Sequence, residues 1–235
     1  MKEAAKFSLK YTRELQPELS NDKTDCYLVR LELNRQHQAF YGYLMMPKHA
    51  KPGSCPVVLS PPGAGIKRIK DPNSRDYYPE NGVIRLITEI HGMDPRMPEQ
   101  YFEDIRASFD GKVKGYLYQG LDNRDHYYMK HVYLGLVRCI DLLTSLPEWD
   151  GRNVITVDHL KTLAYYDVTC FAPYVKAKTY MTWGYNDNTC PPTTSYAVWN
   201  LLGCEKESLI TPVNEHWTSE ATNRQQLNWI LKNLK

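Results

Sequence analysis

The chain has 235 residues, 42% of them hydrophobic and 24% charged, and its 29 basic and 27 acidic residues leave a formal net charge of +2. This length and composition predict a single globular domain over residues 1–235 with a full core. The balanced charge, without a basic block, argues against a nucleic-acid partner, and no apolar run reaches the ~20 residues of a membrane span.

The six cysteines are scattered and form neither a C-x-x-C pair nor a Cys/His metal spacing. We therefore expect reduced thiols, no metal and no cofactor. The first six residues have no apolar signal core. A cytoplasmic protein is the resulting expectation.

Two stretches near the start predict an antiparallel hairpin. Residues 26–33 alternate between apolar and polar side chains, residues 34–38 form a polar turn, and residues 39–46 are the returning strand, ended by Pro47. Residues 7–15 mix apolar and charged side chains without a clear period. No element is predicted there.

The short apolar run at residues 56–60 predicts a buried strand and is followed by the loop PPGAG, residues 61–65. A glycine-bearing loop after a central strand can direct backbone N–H groups at an oxyanion. An ordinary turn is the alternative, since Pro-Gly and Gly-x-Gly are common in turns. A phosphate loop is excluded, because no G-K-[ST] follows the glycines.

The remainder of the chain alternates between strands and helices. Strands are predicted at residues 83–90, 152–157, 179–183 and 208–213, and helices at residues 99–107, 159–166 and 193–202. A long helix is predicted after residues 121–125 and before Pro147, with an apolar face formed by Val132, Leu136, Val137, Ile140 and Leu143. The final helix has an apolar stripe of Leu227, Ile230, Leu231 and Leu234. His91 follows the first of these strands and could be catalytic, but a histidine in such a loop is more often structural. The alternation predicts an α/β fold with a mostly parallel sheet and helices on both faces.

An acid and a histidine follow two successive strands near the end of the chain. Asp187 lies in TWGYNDNTCPP, residues 182–192, and His216 lies in NEHW, residues 214–217. Ligand chemistry in such a sheet lies at the carboxyl ends of the strands. A carboxylate there can fix the tautomer of a histidine base, as in the Ser…Asp…His order of an α/β-hydrolase triad. The expected G-x-S-x-G elbow is absent from the chain.

Several stretches resemble the acetyl xylan esterase / cephalosporin-C deacetylase family over nearly the whole chain. They are AFYGYLMMPK at 39–48, YYMKHVY at 127–133 with VR at 137–138, PEWD at 147–150, YYD at 165–167, WGYNDNTCPPT at 183–193 and HW at 216–217. The stretches from residue 183 onward are the specific ones, and the earlier ones are supportive.

The resemblance implies an α/β-hydrolase that removes acetyl groups from sugars and related esters by a Ser-His-Asp mechanism. It implies no metal, and an assembly that in many members is a hexameric ring. By position, Asp187 matches the triad acid, His216 the base, and Ala64 the residue whose backbone N–H serves the oxyanion hole.

The chain departs from the family pattern in two places. It has HGM at residues 91–93 where the family usually has Arg-Gly-Gln. The larger departure follows Ile155, where the family continues into Gly-Gly-Ser-Gln-Gly-Gly, a helix and another core strand, whereas this chain passes almost directly to YYD at 165–167. An internal deletion near residues 155–158 is indicated, with one core strand, the elbow helix and the nucleophile missing.

Three hypotheses follow: an acetyl esterase by descent, a non-catalytic remnant or binding protein on the same fold, and a hydrolase in which His216 activates water directly. The third is weak, because loss of a triad nucleophile leaves only ~10³–10⁴-fold acceleration over water. To close the sheet, we predict direct parallel pairing of residues 152–157 with 179–183 through a helix at 160–166. The face near Val154 should be under-covered.

Overall fold

A computed structural model describes residues 8–33, 38–62, 65–69, 72–75, 77–108, 115–120, 126–156 and 172–234. The chain divides into two compact units, Met1–Val157 and Asp158–Lys235. The single-domain organisation stays a prediction. No helix among the described residues is long and apolar enough to cross a bilayer.

The first unit is built on a six-stranded mixed sheet. Its strands are β1 (Tyr11–Leu15), β2 (Thr24–Glu32), β3 (Ala39–Pro47), β4 (Cys55–Ser60), β5 (Ile84–Thr88) and β6 (Trp149–Thr156), in the spatial order β1-β2-β3-β5-β4-β6. The pairs β1–β2, β2–β3 and β3–β5 are antiparallel, and β4 pairs in parallel with β5 and β6. The predicted α/β class is confirmed, but the parallel part of this sheet is only its β5-β4-β6 side.

The predicted hairpin forms as β2 and β3, with Leu28 opposite Tyr43 in the register. β1 adds an edge strand that the sequence did not predict. Only Tyr11 of its five residues is partly buried, and the rest are exposed. An edge strand without a buried face does not need alternating apolar and polar side chains, so its sequence does not show the pattern by which strands are predicted.

The α-helices among the described residues of the first unit are α1 (Tyr77–Glu80), α2 (Glu99–Ser108) and α3 (Tyr128–Ser145). α3 packs against β4 and β6, and its buried face includes Gly135 and Arg138 beside the apolar residues Val132 and Leu142. A Cβ at Gly135 would collide with the ring of Phe40 on β3. The helix is therefore predicted correctly, while its buried face is shifted because a glycine and an arginine do not mark an apolar stripe.

The second unit contains the parallel strands β7 (Thr179–Gly184) and β8 (Lys206–Thr211), with the helices α4 (Pro192–Leu201) and α5 (Glu220–Asn233). Its core gathers side chains from the chain before β7, from β7 and from α4: Ala172, Met181, Trp183, Val198 and Leu202. Ser219 caps α5 by accepting the Thr222 N–H at 3.1 Å. All four elements were predicted, with boundaries shifted by a few residues.

The predicted pairing of residues 152–157 with 179–183 is wrong for the described residues. β6 pairs with β4, whereas β7 pairs with β8 in a separate two-stranded sheet. β7, α4 and β8 form a local βαβ crossover, so the partner of β7 comes from the following chain. The helix predicted at 159–166 lies outside the described residues. Val154 on β6 is 36% exposed, and the under-covered face around it stays a prediction.

Candidate active site

Asp187 lies in the loop that follows β7, and its carboxylate is held by the backbone of its own turn. Oδ1 accepts the N–H of Thr189 at 2.9 Å and of Cys190 at 2.7 Å. The residue is only 3% exposed. The short loop before Pro191 therefore fixes the carboxyl group in one orientation.

The loops after β7 and β8 are bound together by their backbones. The Tyr185 N–H donates to the Thr211 carbonyl at 3.1 Å, and the Asn186 N–H donates to the Asn214 carbonyl at 3.3 Å. A Cβ at Gly184 would collide with the Asn214 carbonyl. Glycine is required at the end of β7 because the second loop crosses directly over it.

This crossing brings His216 to Asp187. Nδ1 of His216 lies 3.0 Å from Oδ2 and 3.2 Å from Oδ1 of Asp187, so the predicted contact is confirmed. Because a buried carboxylate accepts hydrogen bonds, we assign the proton to Nδ1, which leaves Nε2 with a free lone pair. The His216 side chain is 46% exposed. Its Nε2 can act as a base.

The hydrogen bonds keep Asp187 ionised. Burial by itself raises the pKa of the carboxyl, but the donated hydrogen bonds from Cys190, His216 and Thr189 outweigh it and hold the pKa below its ordinary value. A permanent negative charge beside Nδ1 stabilises the imidazolium that forms when Nε2 takes a proton.

In the first unit, a second polar cluster surrounds Gly65 at the end of the loop after β4. Its N–H donates to the hydroxyl of Tyr116 at 3.0 Å, and its carbonyl lies 3.3 Å from Nε2 of His91. Nδ1 of His91 lies 2.6 Å from the hydroxyl of Tyr128. Burial lowers the pKa of His91 to about 4, so this histidine is neutral. The structural interpretation of His91 agrees with these contacts.

Glu89, two residues before His91, is 2% exposed. Its carboxylate accepts the N–H groups of Tyr41 at 2.8 Å, His91 at 2.5 Å and Met93 at 3.1 Å. Burial nevertheless raises the pKa of this carboxyl to about 7, outweighing these hydrogen bonds. Glu89 was not predicted from the sequence as a site residue. A lone acid between Thr88 and Ile90 in an otherwise apolar run was the available signal.

Ala64 lies outside the described residues. Within the described ranges, no group of three or more His, Cys, Asp or Glu side chains is placed to hold a metal ion. None of the five described cysteines is part of a disulfide: Cys26, Cys55, Cys139, Cys190 and Cys204.

A model of the acetyl xylan esterase (AXE1) family matches the chain in two parts, residues 1–159 and residues 154–233. The chain belongs to this family. The two parts meet where β6 ends.

Among curated proteins, the chain is 44% identical to the acetyl esterase Axe7A of Xylanibacter ruminicola over 271 aligned positions. That alignment covers 92% of this chain and 61% of the relative, so the chain spans about three fifths of the relative's length.

Solved structures of two acetyl xylan esterases share the fold. The enzyme of Paenibacillus sp. R4 superposes with a TM-score of 0.79 at 18% identity, covering 99% of this chain and 92% of that one. Acetyl xylan esterase 1 of Thermoanaerobacterium sp. JW/SL YS485 gives a TM-score of 0.78 at 13% identity, covering 100% and 91%. A dienelactone hydrolase of Anabaena variabilis gives 0.62 at 16% identity, covering 91% and 100%.

Proposed function

We propose that this chain carries the acid and base of a carboxylic ester hydrolase that removes acetyl groups from carbohydrates or related esters. Asp187 orients His216 and stabilises its protonated form, and Nε2 of His216 takes the proton of the attacking hydroxyl. The Ala64 N–H stabilises the oxyanion. The observation that carries the proposal is the Asp187–His216 hydrogen bond, which uses Nδ1 and leaves Nε2 without a hydrogen-bond partner among the described residues, in a chain of the acetyl xylan esterase family.

The attacking serine belongs, in this proposal, to a segment that the chain lacks after β6. Two findings support such a loss. The family model matches in two separate parts, which overlap at residues 154–159 of this chain. The alignment with the Xylanibacter ruminicola relative runs over 271 positions, more than the 235 residues of this chain. In this proposal, the 235 residues contain the base His216, oriented by Asp187, but not the nucleophile.

The decisive experiment restores the segment. The stretch of the Xylanibacter ruminicola relative that has no counterpart here is inserted after Thr156, and acetate release from acetylated xylo-oligosaccharides is measured. We expect activity in the restored chain and only background hydrolysis in the 235-residue chain.

Two variants of the restored chain make the test specific. His216→Asn should abolish the restored activity, and His49→Gln, at an exposed histidine, should leave it unchanged. A restored chain that releases acetate equally fast with His216→Asn overturns the assignment of the base.

A further inference from the structure

Both peptide groups of Gly65 are bound by side chains from distant parts of the first unit. Tyr116 accepts the Gly65 N–H, and His91 faces its carbonyl. Tyr116 is 1% exposed, and its ring packs edge-on against His91 with ring centroids 4.7 Å apart. Gly65 has φ of +111°, a conformation that L side chains rarely adopt. The loop end is thus fixed in a backbone geometry that only glycine readily supplies.

The contacts of His91 select one tautomer. The Gly65 carbonyl can only accept, so Nε2 must carry the proton to bond with it at 3.3 Å. Nδ1 of the neutral ring is then an acceptor and receives the Tyr128 hydroxyl at 2.6 Å. With the proton on Nδ1 instead, the Nε2 lone pair would face the carbonyl oxygen, and the two would repel.

The backbone of His91 is fixed as firmly as its ring. The Glu89 carboxylate accepts the N–H groups of His91 and Met93 from its own turn and that of Tyr41 from β3. Tyr128 stands at the start of α3, and its single hydroxyl proton can be donated either to the Ile90 carbonyl at 3.2 Å or to Nδ1 of His91 at 2.6 Å. We assign it to Nδ1, because that contact is shorter and the Nε2–H bond to Gly65 leaves Nδ1 as an acceptor. β3, the turn after β5 and α3 therefore converge to hold one imidazole.

We propose that His91 is a positioning residue, a neutral Nε2-protonated imidazole that, with Tyr116, fixes the peptide groups of Gly65 at the end of the loop after β4. We call the contacts of His91 and Tyr116 with the peptide groups of Gly65 the Gly65 clamp. The use of that loop as an oxyanion site rests on the proposed function, whereas the clamp itself does not. Because the Gly65 N–H is already donated to Tyr116, the oxyanion donor in this loop is another N–H. His91 is not a general base, since both of its nitrogens are engaged.

The first test reads the tautomer directly in the full 235-residue chain. Long-range ¹H–¹⁵N correlations from ¹⁵N-histidine distinguish the two neutral forms, and loss of one of the seven histidine signals in His91→Gln assigns the residue. We expect the Nε2–H form at neutral pH. In Tyr128→Phe, the Nδ1 shift should move towards that of an unbonded nitrogen while the Nε2–H signal stays. An Nδ1–H tautomer in the unmodified chain overturns the proposal.

The second test reads the loop through the Gly65 amide resonance. Glutamine can place its side-chain amide N–H near the position of Nε2, whereas the shorter asparagine cannot. We therefore expect the Gly65 shift to be kept in His91→Gln and displaced in His91→Asn, with His49→Gln as the control at an exposed histidine. Equal shifts in the Gln and Asn variants contradict the clamp. If His91→Asn does not fold, Tyr116→Phe supplies the comparison, since it removes the acceptor of the Gly65 N–H.

Neither test depends on enzymatic activity, so the proposed role of His91 and the proposed esterase activity can be contradicted independently of each other. In the restored chain, displacing the loop should lower kcat about 10- to 100-fold in His91→Asn, with KM little changed, as expected for a misplaced oxyanion donor. A displaced Gly65 resonance with unchanged kcat would keep the clamp and remove this loop from the oxyanion site.

Discussion

The ionised carboxylate of Asp187 stabilises the folded protein, and protonation at low pH removes this stabilisation. Its pKa in the fold lies below the ordinary ~3.9, so the ionised form stabilises the folded state above that value, and the contribution is lost as the pH falls through the folded pKa. Asp187→Asn should lower the free energy of unfolding by about 1–3 kcal/mol at pH 7.

Urea denaturation of both proteins between about pH 7 and pH 2 checks this prediction, because the difference between them should shrink as Asp187 is protonated. Asp22→Asn, at an exposed position, is the control. A difference that is the same across this range would contradict the assigned charge state.

Glu89 has the opposite pH dependence. Its pKa of about 7 in the fold lies above the ~4.3 of an exposed glutamate. Its stabilising contribution is therefore fully present below about pH 4.3 and is lost as the pH rises through 7. Between about pH 4.3 and pH 7, the free energy of unfolding of the unmodified protein should therefore fall by up to roughly 3 kcal/mol, and that of Glu89→Gln should not show this fall.

Urea denaturation of the unmodified protein and of Glu89→Gln at several pH values measures how the free energy of unfolding of each changes with pH. Glu18→Gln, at an exposed position, is the control. Glu89→Gln is expected to be less stable at every pH, because an amide N–H then faces the backbone N–H donors of the turn. Identical pH slopes for the two proteins would show that Glu89 stays ionised in the fold.

Among the elements, the end of β7 depends most on a single residue. In Gly184→Ala the new methyl group meets the Asn214 carbonyl, and this backbone contact has no flexible side chain that could yield. We expect a loss of at least about 1–3 kcal/mol in the free energy of unfolding, together with a weakened Asp187–His216 hydrogen bond. Gly203→Ala is the matched control, because the nearest atom to its Cβ is the Pro173 carbonyl oxygen at 4.0 Å.

Urea denaturation and the ¹⁵N shifts of His216 measure the two effects of Gly184→Ala. If the Gly184 and Gly203 variants are equally stable, the second loop does not press on the end of β7.

Local patterns predicted most of these elements, because their periods are written in neighbouring residues. α3 was found from its apolar spacing, and the hairpin of β2 and β3 from alternation ended by Pro47. The pairing of β7 could not be read in the same way. An apolar run fits one parallel neighbour as well as another, so the sequence does not show whether β7 joins the preceding strand β6 or, as in the structure, the following strand β8.

The candidate site was predictable only in part. Asp187 and His216 were found because each follows a strand that ends in the same region of an α/β sheet. The cluster around Gly65 was not, because it assembles residues from β3, the turn after β5 and α3. Hydrogen bonds between such distant residues leave no spacing in the sequence.

For the whole molecule, we expect no acyl-enzyme. A histidine base without a nucleophile cannot form a covalent intermediate, and the chain has no G-x-S-x-G. Mass spectrometry after incubation with an activated acetyl ester or an organophosphorus probe should find the unmodified mass. A stoichiometric adduct on any serine would identify that serine as the nucleophile. The cytoplasmic location and the hexameric assembly stay predictions.

The acid–base pair is encoded in one short stretch. Asp187 and His216 both lie in the second unit, and the backbone contacts of Gly184, Tyr185 and Asn186 join their loops within it. Under the proposed function, the contact between the two side chains forms without the segment that would carry the nucleophile. An Asp–His contact therefore does not by itself identify an active enzyme, and a structural search for such enzymes also has to look for the nucleophile.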